Sequence, residues 1–157
     1  MDGYCRPQAP RPEGVSGTKA LSVRQPWAEL ILAGRKNYEL RTWWTAYRGR
    51  VWIHAGRCVE RAFLDRASLD AVRLPTGAIV GSVEIAACDP FTLQIADEMR
   101  TTGSWFGSWQ PAMFAWELRD VRRLAEPIPW QGVLASTSAI FDRGHKIQIR
   151  GCDDFPG

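Results

Sequence analysis

What this sequence lacks narrows it before any residue is placed. It has two histidines in 157 residues, and its four cysteines (Cys5, Cys58, Cys88, Cys152) include no CxxC pair. No zinc-ribbon or zinc-finger spacing can be drawn from them, so no metal site is expected. No apolar run approaches the ~18 residues that a membrane-spanning helix needs. The opening MDGYCRPQAPRPEG has none of the apolar core of a secretory signal. GxSxG, P-loop, HExxH and Rossmann glycine patterns are all missing. That leaves serine hydrolysis, nucleotide triphosphate turnover and nicotinamide chemistry without support, and no cofactor is expected. The sequence shows neither internal repeat nor second domain. These absences lead us to expect a cytoplasmic protein (nuclear if eukaryotic) with reduced thiols, monomeric and not membrane-bound. Its expected layout is a disordered leader over residues 1–19, one domain over 20–150 and a tail over 151–157.

What is present is unevenly placed. The formal net charge is +3, but the stretch from Arg24 to Arg57 holds seven Lys or Arg against Glu29 and Glu39, a local charge of +5. Four of the eight tryptophans fall in or beside it, at Trp27, Trp43, Trp44 and Trp52. Cations and aromatic rings concentrated around one short helix suit a cleft for an anionic, flat ligand.

Along the chain, Ala20 to Arg24 alternates as a strand. Gln25-Pro26-Trp27 starts a helix of about three turns whose apolar face includes Leu30 and Ile31, with Gly34 placed to cap it. Tyr38 to Trp44 reads as a strand with Glu39 and Arg41 on one face and Tyr38 and Leu40 on the other. Tyr47-Arg48-Gly49 turns into a strand over Arg50 to Ala55. Cys58 to Val72 has the apolar spacing of an amphipathic helix, with Cys58, like Cys88, a small core residue. Ala78 to Ala86 is the longest strand pattern, and Gly81 within it signals a bulge or a close backbone approach. A short helix is expected over Thr92 to Met99, a Gly/Ser/Trp loop with Trp105, Phe106 and Trp109 over 103–110, and a strand from Met113 towards Arg122. Glu126 to Gly132 reads as an ordered turn because of its prolines, and His145 to Arg150 as a last strand. The sum is an α+β domain: five or six mostly antiparallel strands in a small curved or closed sheet, with two or three short helices.

Lys36, Glu39 and Arg41 form the sharpest cluster. A lysine desolvated beside an arginine loses proton affinity and can serve as a general base. A glutamate between two cations can instead hold them ready for a phosphate or a base edge. The same three residues also fit a surface ion-pair ladder. Arg24, Arg48, Arg50 and Arg57 sit at strand ends and turns, within reach of a phosphate backbone. Alternation turns one of Trp43 and Trp44 inward and the other outward as a stacking surface. Gln25 fits either a base-reading amide or a helix cap, and His54 a satisfied core histidine.

Leu21-Ser22-Val23-Arg24-Gln25-Pro26-Trp27-Ala28, followed by Gly34-Arg35-Lys36-Asn37-Tyr38-Glu39-Leu40-Arg41, resembles the opening signature of the ASCH family: a Q-P-W/Y-A helix start, then G-x-K-x-x-E-x-R. Trp43, Thr45, Arg48-Gly49-Arg50 and Trp52-Ile53-His54-Ala55 resemble the branch nearest a transcription coactivator. Gly77 to Glu84 looks like the family's central barrel strand and Pro127 to Gly132 like its late turn, so the resemblance spans roughly 20–150. It implies a PUA-like fold, a small β-barrel with a helix lining a cleft, and binding of RNA or DNA, single-stranded or through a flipped or modified base. Arg24, Gln25, Lys36, Glu39, Arg41, Trp43, Trp44, Arg48, Arg50 and Arg57 would then form the contact surface. Some bacterial relatives are ribonucleases or remove the acetyl group of N4-acetylcytidine, which makes a metal-independent ribonuclease or nucleoside amidohydrolase, with Lys36 as general base and Glu39 beside it, the alternative. In the deacetylating branch a threonine stands where this chain has Glu39, and that difference favours binding.

Overall fold

The computed structural model describes residues 19–101 and 113–130. In chain order the elements are β1 (Ala20–Gln25), α1 (Trp27–Leu32), β2 (Tyr38–Arg41), β3 (Gly49–Val59), α2 (Leu64–Ala67), β4 (Ala78–Pro90), α3 (Leu93–Thr101) and β5 (Phe114–Pro129). Single 3-10 turns at Arg61–Phe63 and Ala71–Arg73 flank α2. The strands form one mixed sheet in the order β1-β3-β4-β5-β2. β1 lies parallel to β3, and the other three pairings are antiparallel.

The α+β class, the five mostly antiparallel strands and the short helices are as the sequence implies; closure into a barrel is not. β1 and β2 are the two edges of the sheet, and no ladder joins them. Side chains take the place of that ladder. The Asn37 carbonyl accepts from Leu118 of β5, so by strand alternation the next carbonyl, that of Tyr38, turns away from β5. Lys36 Nζ donates to it. On the opposite edge the Ser22 carbonyl accepts from Arg41 Nη2 at 3.0 Å. Two cationic side chains thus satisfy edge carbonyls that a closing strand pair would have used.

The core follows from alternation. Leu21 and Val23 of β1, Val51, Ile53 and Ala55 of β3, Val83 and Ile85 of β4, and Trp116 and Leu118 of β5 pack with Ala28, Ile31 and Leu32 of α1. At Gly81 the helix side chain Leu32 and the β5 backbone both press close to β4. A Cβ there would lie 2.5 Å from Leu32 Cδ2 and 2.6 Å from the Arg122 carbonyl oxygen. The β4 register shifts against β5 beside it, as the bulge signal suggests.

Several local expectations are corrected. α1 has six residues, not three turns, and Pro26, after a cis peptide bond, is its N-cap. β2 stops at Arg41. The helix expected over Cys58 to Val72 is broken: β3 runs on to Val59, α2 has four residues, Ser68 takes a left-handed φ of 56°, and Val72 is 92% exposed. Pro127 and Pro129 stand inside β5 rather than in a turn. Trp130 N donates to the Gly77 carbonyl, so the alternating backbone points both proline nitrogens away from β4, where no donor is required. Cys88 is a buried free thiol, whereas Cys58 is half-buried rather than a core residue. The leader through residue 18, the Trp105–Trp109 loop, the end of the 126–132 turn, the 145–150 strand and the 151–157 tail lie outside the described residues.

Candidate functional site

The chain returns from α1 through Gly34, at φ 68°, and the amides of Arg35 and Lys36 both donate to the Leu30 carbonyl, at 2.9 and 3.0 Å. This tight return directs Lys36 towards β2. Along β2 the burial pattern inverts ordinary amphipathicity: Glu39 and Arg41 are buried, while Tyr38 and Leu40 are half-buried. Lys36, Glu39 and Arg41 are 7%, 8% and 8% exposed, which rules out a solvated surface ladder. Glu39 Oε2 lies 2.6 Å from Lys36 Nζ and Oε1 lies 2.8 Å from Arg41 Nη2. One carboxylate therefore bridges two buried cations at the line where the sheet stays open.

Burial is the largest single influence on all three, and it sets the direction for Lys36 and Arg41 but not for Glu39. It lowers Lys36 from its ordinary value while Glu39 opposes the shift. Burial alone would raise the Glu39 carboxyl, but Lys36 and Arg41 outweigh it and hold it below the usual range. Arg41 is lowered by burial and by Arg24, against the pull of Glu39.

On the other side of the opening, Ser22 of β1 stands in register with His54 of β3, with Ser22 Oγ 3.0 Å from His54 Nδ1. His54 is 4% exposed; burial first, then Arg57, lowers its pKa. Nδ1 is satisfied, but Nε2 has no hydrogen-bond partner among the described residues, and neither has Arg41 Nε. Arg24 pairs with Glu60 at 2.9 Å. Gln25 is fully buried, and both ends of its amide are used: Oε1 accepts from Glu29 N at 3.0 Å, and Nε2 donates to the Pro75 carbonyl at 2.8 Å. Its geometry is that of a helix-capping residue.

The aromatic pair resolves. Trp43 packs edge-on against Trp116, with ring centroids 4.5 Å apart, and Trp44 is the outward ring, 55% exposed. Arg48 is exposed, held by the carbonyls of Thr45 and Tyr47 at 2.9 Å each. Arg57 is exposed and lies against Gly77. Arg50 instead points along the sheet to Asp120, with Ser82 Oγ 3.1 Å away. The structure therefore groups Lys36, Glu39 and Arg41, brings Arg24 beside them, leaves Trp44, Arg48 and Arg57 accessible, and engages Gln25 and Arg50 in internal bonds. An open cavity of about 480 Å³ lies elsewhere, between α1, the 68–75 turn and β5; none of the three clustered residues lines it. Among the described residues no group of His, Cys, Asp or Glu could hold a metal ion, and no helix is long and apolar enough to cross a membrane.

Ser22 is the residue that sequence reasoning passed over. Its alternation with Leu21 and Val23 places it on the Arg24 face of β1, but its partner is 32 positions away, joined by a parallel pairing that no local pattern encodes.

Parts of this chain are similar to known proteins. The family model of the ASCH domain matches residues 21–128. Human activating signal cointegrator 1 is 54% identical over 43 residues, 27% of this chain and 7% of that protein. The mouse protein is 51% identical over 43 residues with the same coverage. The chain thus spans a small fraction of the length of these relatives. An ASCH protein from Zymomonas mobilis of known crystal structure is 18% identical, with a TM-score of 0.49 over 70% of this chain and 71% of that one. A mutant form of it is 20% identical, with a TM-score of 0.48 over 70% and 72%.

Proposed function

The chain belongs to the ASCH family, and from that premise we propose that it binds RNA or DNA along the open seam between β1 and β2. The observation that carries this reading is the buried Lys36–Glu39–Arg41 cluster, two cations on one carboxylate at the line where the sheet fails to close. Burying an excess of positive charge is costly unless an anion accompanies it, and nucleic acid supplies anions at regular intervals. Outside the cluster, Arg48 and Arg57 are exposed and available to phosphates, and Trp44 offers a face for a base. A single strand, or a base turned out of a duplex, suits one exposed ring better than an intact double helix does.

Trp44→Ala tests the reading without touching the core. Base stacking on one ring contributes about 1–3 kcal/mol, so affinity for a single-stranded oligonucleotide should fall roughly tenfold while the thermal midpoint stays unchanged. Equal affinity of variant and wild type would remove Trp44 from the contact surface.

One observation favours an enzymatic alternative: burial lowers the proton affinity of Lys36, the condition a lysine general base requires. Metal-independent cleavage of RNA, or hydrolysis of an acylated nucleoside, would follow from that. Against it, Lys36 Nζ already donates to both Glu39 and the Tyr38 carbonyl. Turnover without added metal that disappears in Lys36→Ala while ligand affinity survives would establish the enzyme; binding without turnover leaves the binding module.

A further inference from the structure

Arg41 Nε and His54 Nε2 are buried polar atoms without a hydrogen-bond partner among the described residues. Both side chains are more than nine-tenths buried, at 8% and 4% exposure, and both are anchored on the same residue. Arg41 Nη2 donates to the Ser22 carbonyl and His54 Nδ1 bonds Ser22 Oγ, each at 3.0 Å. Ser22 itself, the residue to which both side chains are tied, is half-buried. Native folds rarely leave such atoms unmatched, and two around one serine ask for a common explanation.

The tautomer decides what they have in common. The Ser22 hydroxyl has one proton, and His54 Nδ1 is its hydrogen-bond partner among the described residues. If Oγ donates to Nδ1, a neutral imidazole carries its proton on Nε2. Arg41 Nε–H and His54 Nε2–H are then both donors, each without an acceptor among the described residues. The surroundings fix the sign of that group. Lys36 and Arg41 share a single carboxylate, Arg24 acts electrostatically on Arg41, and Arg57 acts on His54.

We propose that Arg41 Nε and His54 Nε2 form an oxyanion subsite beside Ser22, which takes one phosphate group. The subsite rests on the nucleic-acid reading for its natural occupant, a phosphate of the bound strand, and its chemistry serves equally for free phosphate. Ser22 is a positioning residue there: its hydroxyl sets the His54 tautomer and its carbonyl orients the Arg41 guanidinium.

The test uses the full chain labelled with nitrogen-15 and follows the ring nitrogens of its two histidines, His54 and His145, during titration with inorganic phosphate against sodium chloride of equal ionic strength. The Nε2–H tautomer of His54 is expected, with its signals moving on phosphate and not on chloride. In parallel, Ser22→Ala and the charge-preserving Arg41→Lys are titrated with phosphate and with a single-stranded oligonucleotide. Each should weaken phosphate binding about tenfold, the loss expected for one charge-assisted hydrogen bond. A wild-type chain that binds the oligonucleotide while His54 stays silent to phosphate overturns the subsite and leaves the nucleic-acid reading standing. His54 signals that follow phosphate in a chain that ignores oligonucleotides keep the subsite and overturn that reading. Silence in both titrations overturns both, and the wild-type spectra decide even if a variant fails to fold.

Discussion

Glu39 holds the seam together at the level of single residues, because each of its oxygens faces a different buried cation. Glu39→Ala would strand Lys36 and Arg41 without their counter-charge, and breaking a buried pair in this way costs about 3–5 kcal/mol. Denaturant unfolding of Glu39→Ala, Arg41→Ala and the double variant would check this, and the double should be less damaging than the sum of the singles. Acid acts on the same neighbourhood. His54 is held below its ordinary 6.5 by burial and Arg57, so the unfolded chain takes up the proton first, and stability declines as pH falls below 6.5. Glu39 is held below 4.5; its contribution is complete above 4.5 and is lost as pH drops through its folded value. A melting series from about pH 8 down to pH 5 should therefore show a falling midpoint, and His54→Gln should flatten that slope. A wild-type midpoint that is constant across the range would contradict the burial of a neutral His54. Gly81 makes a different kind of residue-scale claim. A methyl group there collides with Leu32 and with the Arg122 backbone, so Gly81→Ala should cost about 1–3 kcal/mol by overpacking, read as a lower denaturant midpoint at unchanged slope.

Among the elements, α1 depends on Gln25 for its seating. Six residues make too short a helix to persist alone, and Gln25 ties its first turn to β1 and, through Pro75, to the turn before β4. Gln25→Ala should lose about 1–3 kcal/mol from two buried bonds left unmade, with faster amide exchange at Glu29 as the local sign. Protection at Glu29 equal to wild type would mean the cap is dispensable. Element types were legible wherever side chains alternate against one core, as in β1, β3 and the first half of β4. They were illegible where a non-local contact overrides the local pattern. Pro127 and Pro129 look like a turn until their nitrogens are seen to face an open edge. Val72 looks like a helix face until Ser68 breaks the helix before it. Closure could not be read at all, since whether β1 meets β2 depends on side chains from one edge reaching the other.

Across the whole molecule, the Lys36–Glu39–Arg41 grouping was legible because it is local: a glycine return and then alternate positions on one strand. Its burial was not, because the sequence offers three charges and the fold turns them inward. Arg50 and Gln25 lay in the cationic stretch like the others, yet distant partners engage them: Asp120 for Arg50 and Pro75 for Gln25. The +5 concentrated between Arg24 and Arg57 is thus divided between a buried seam and an accessible rim. A salt titration reads that division directly. Affinity of the wild-type chain for a single-stranded oligonucleotide, followed by fluorescence anisotropy, should fall as salt rises. Removing Arg48 and Arg57 together should reduce the logarithmic slope by roughly 1–2, near 0.7 for each phosphate that the variant no longer neutralises. Binding indifferent to salt, or no binding at low salt, would contradict a nucleic-acid interface at the seam.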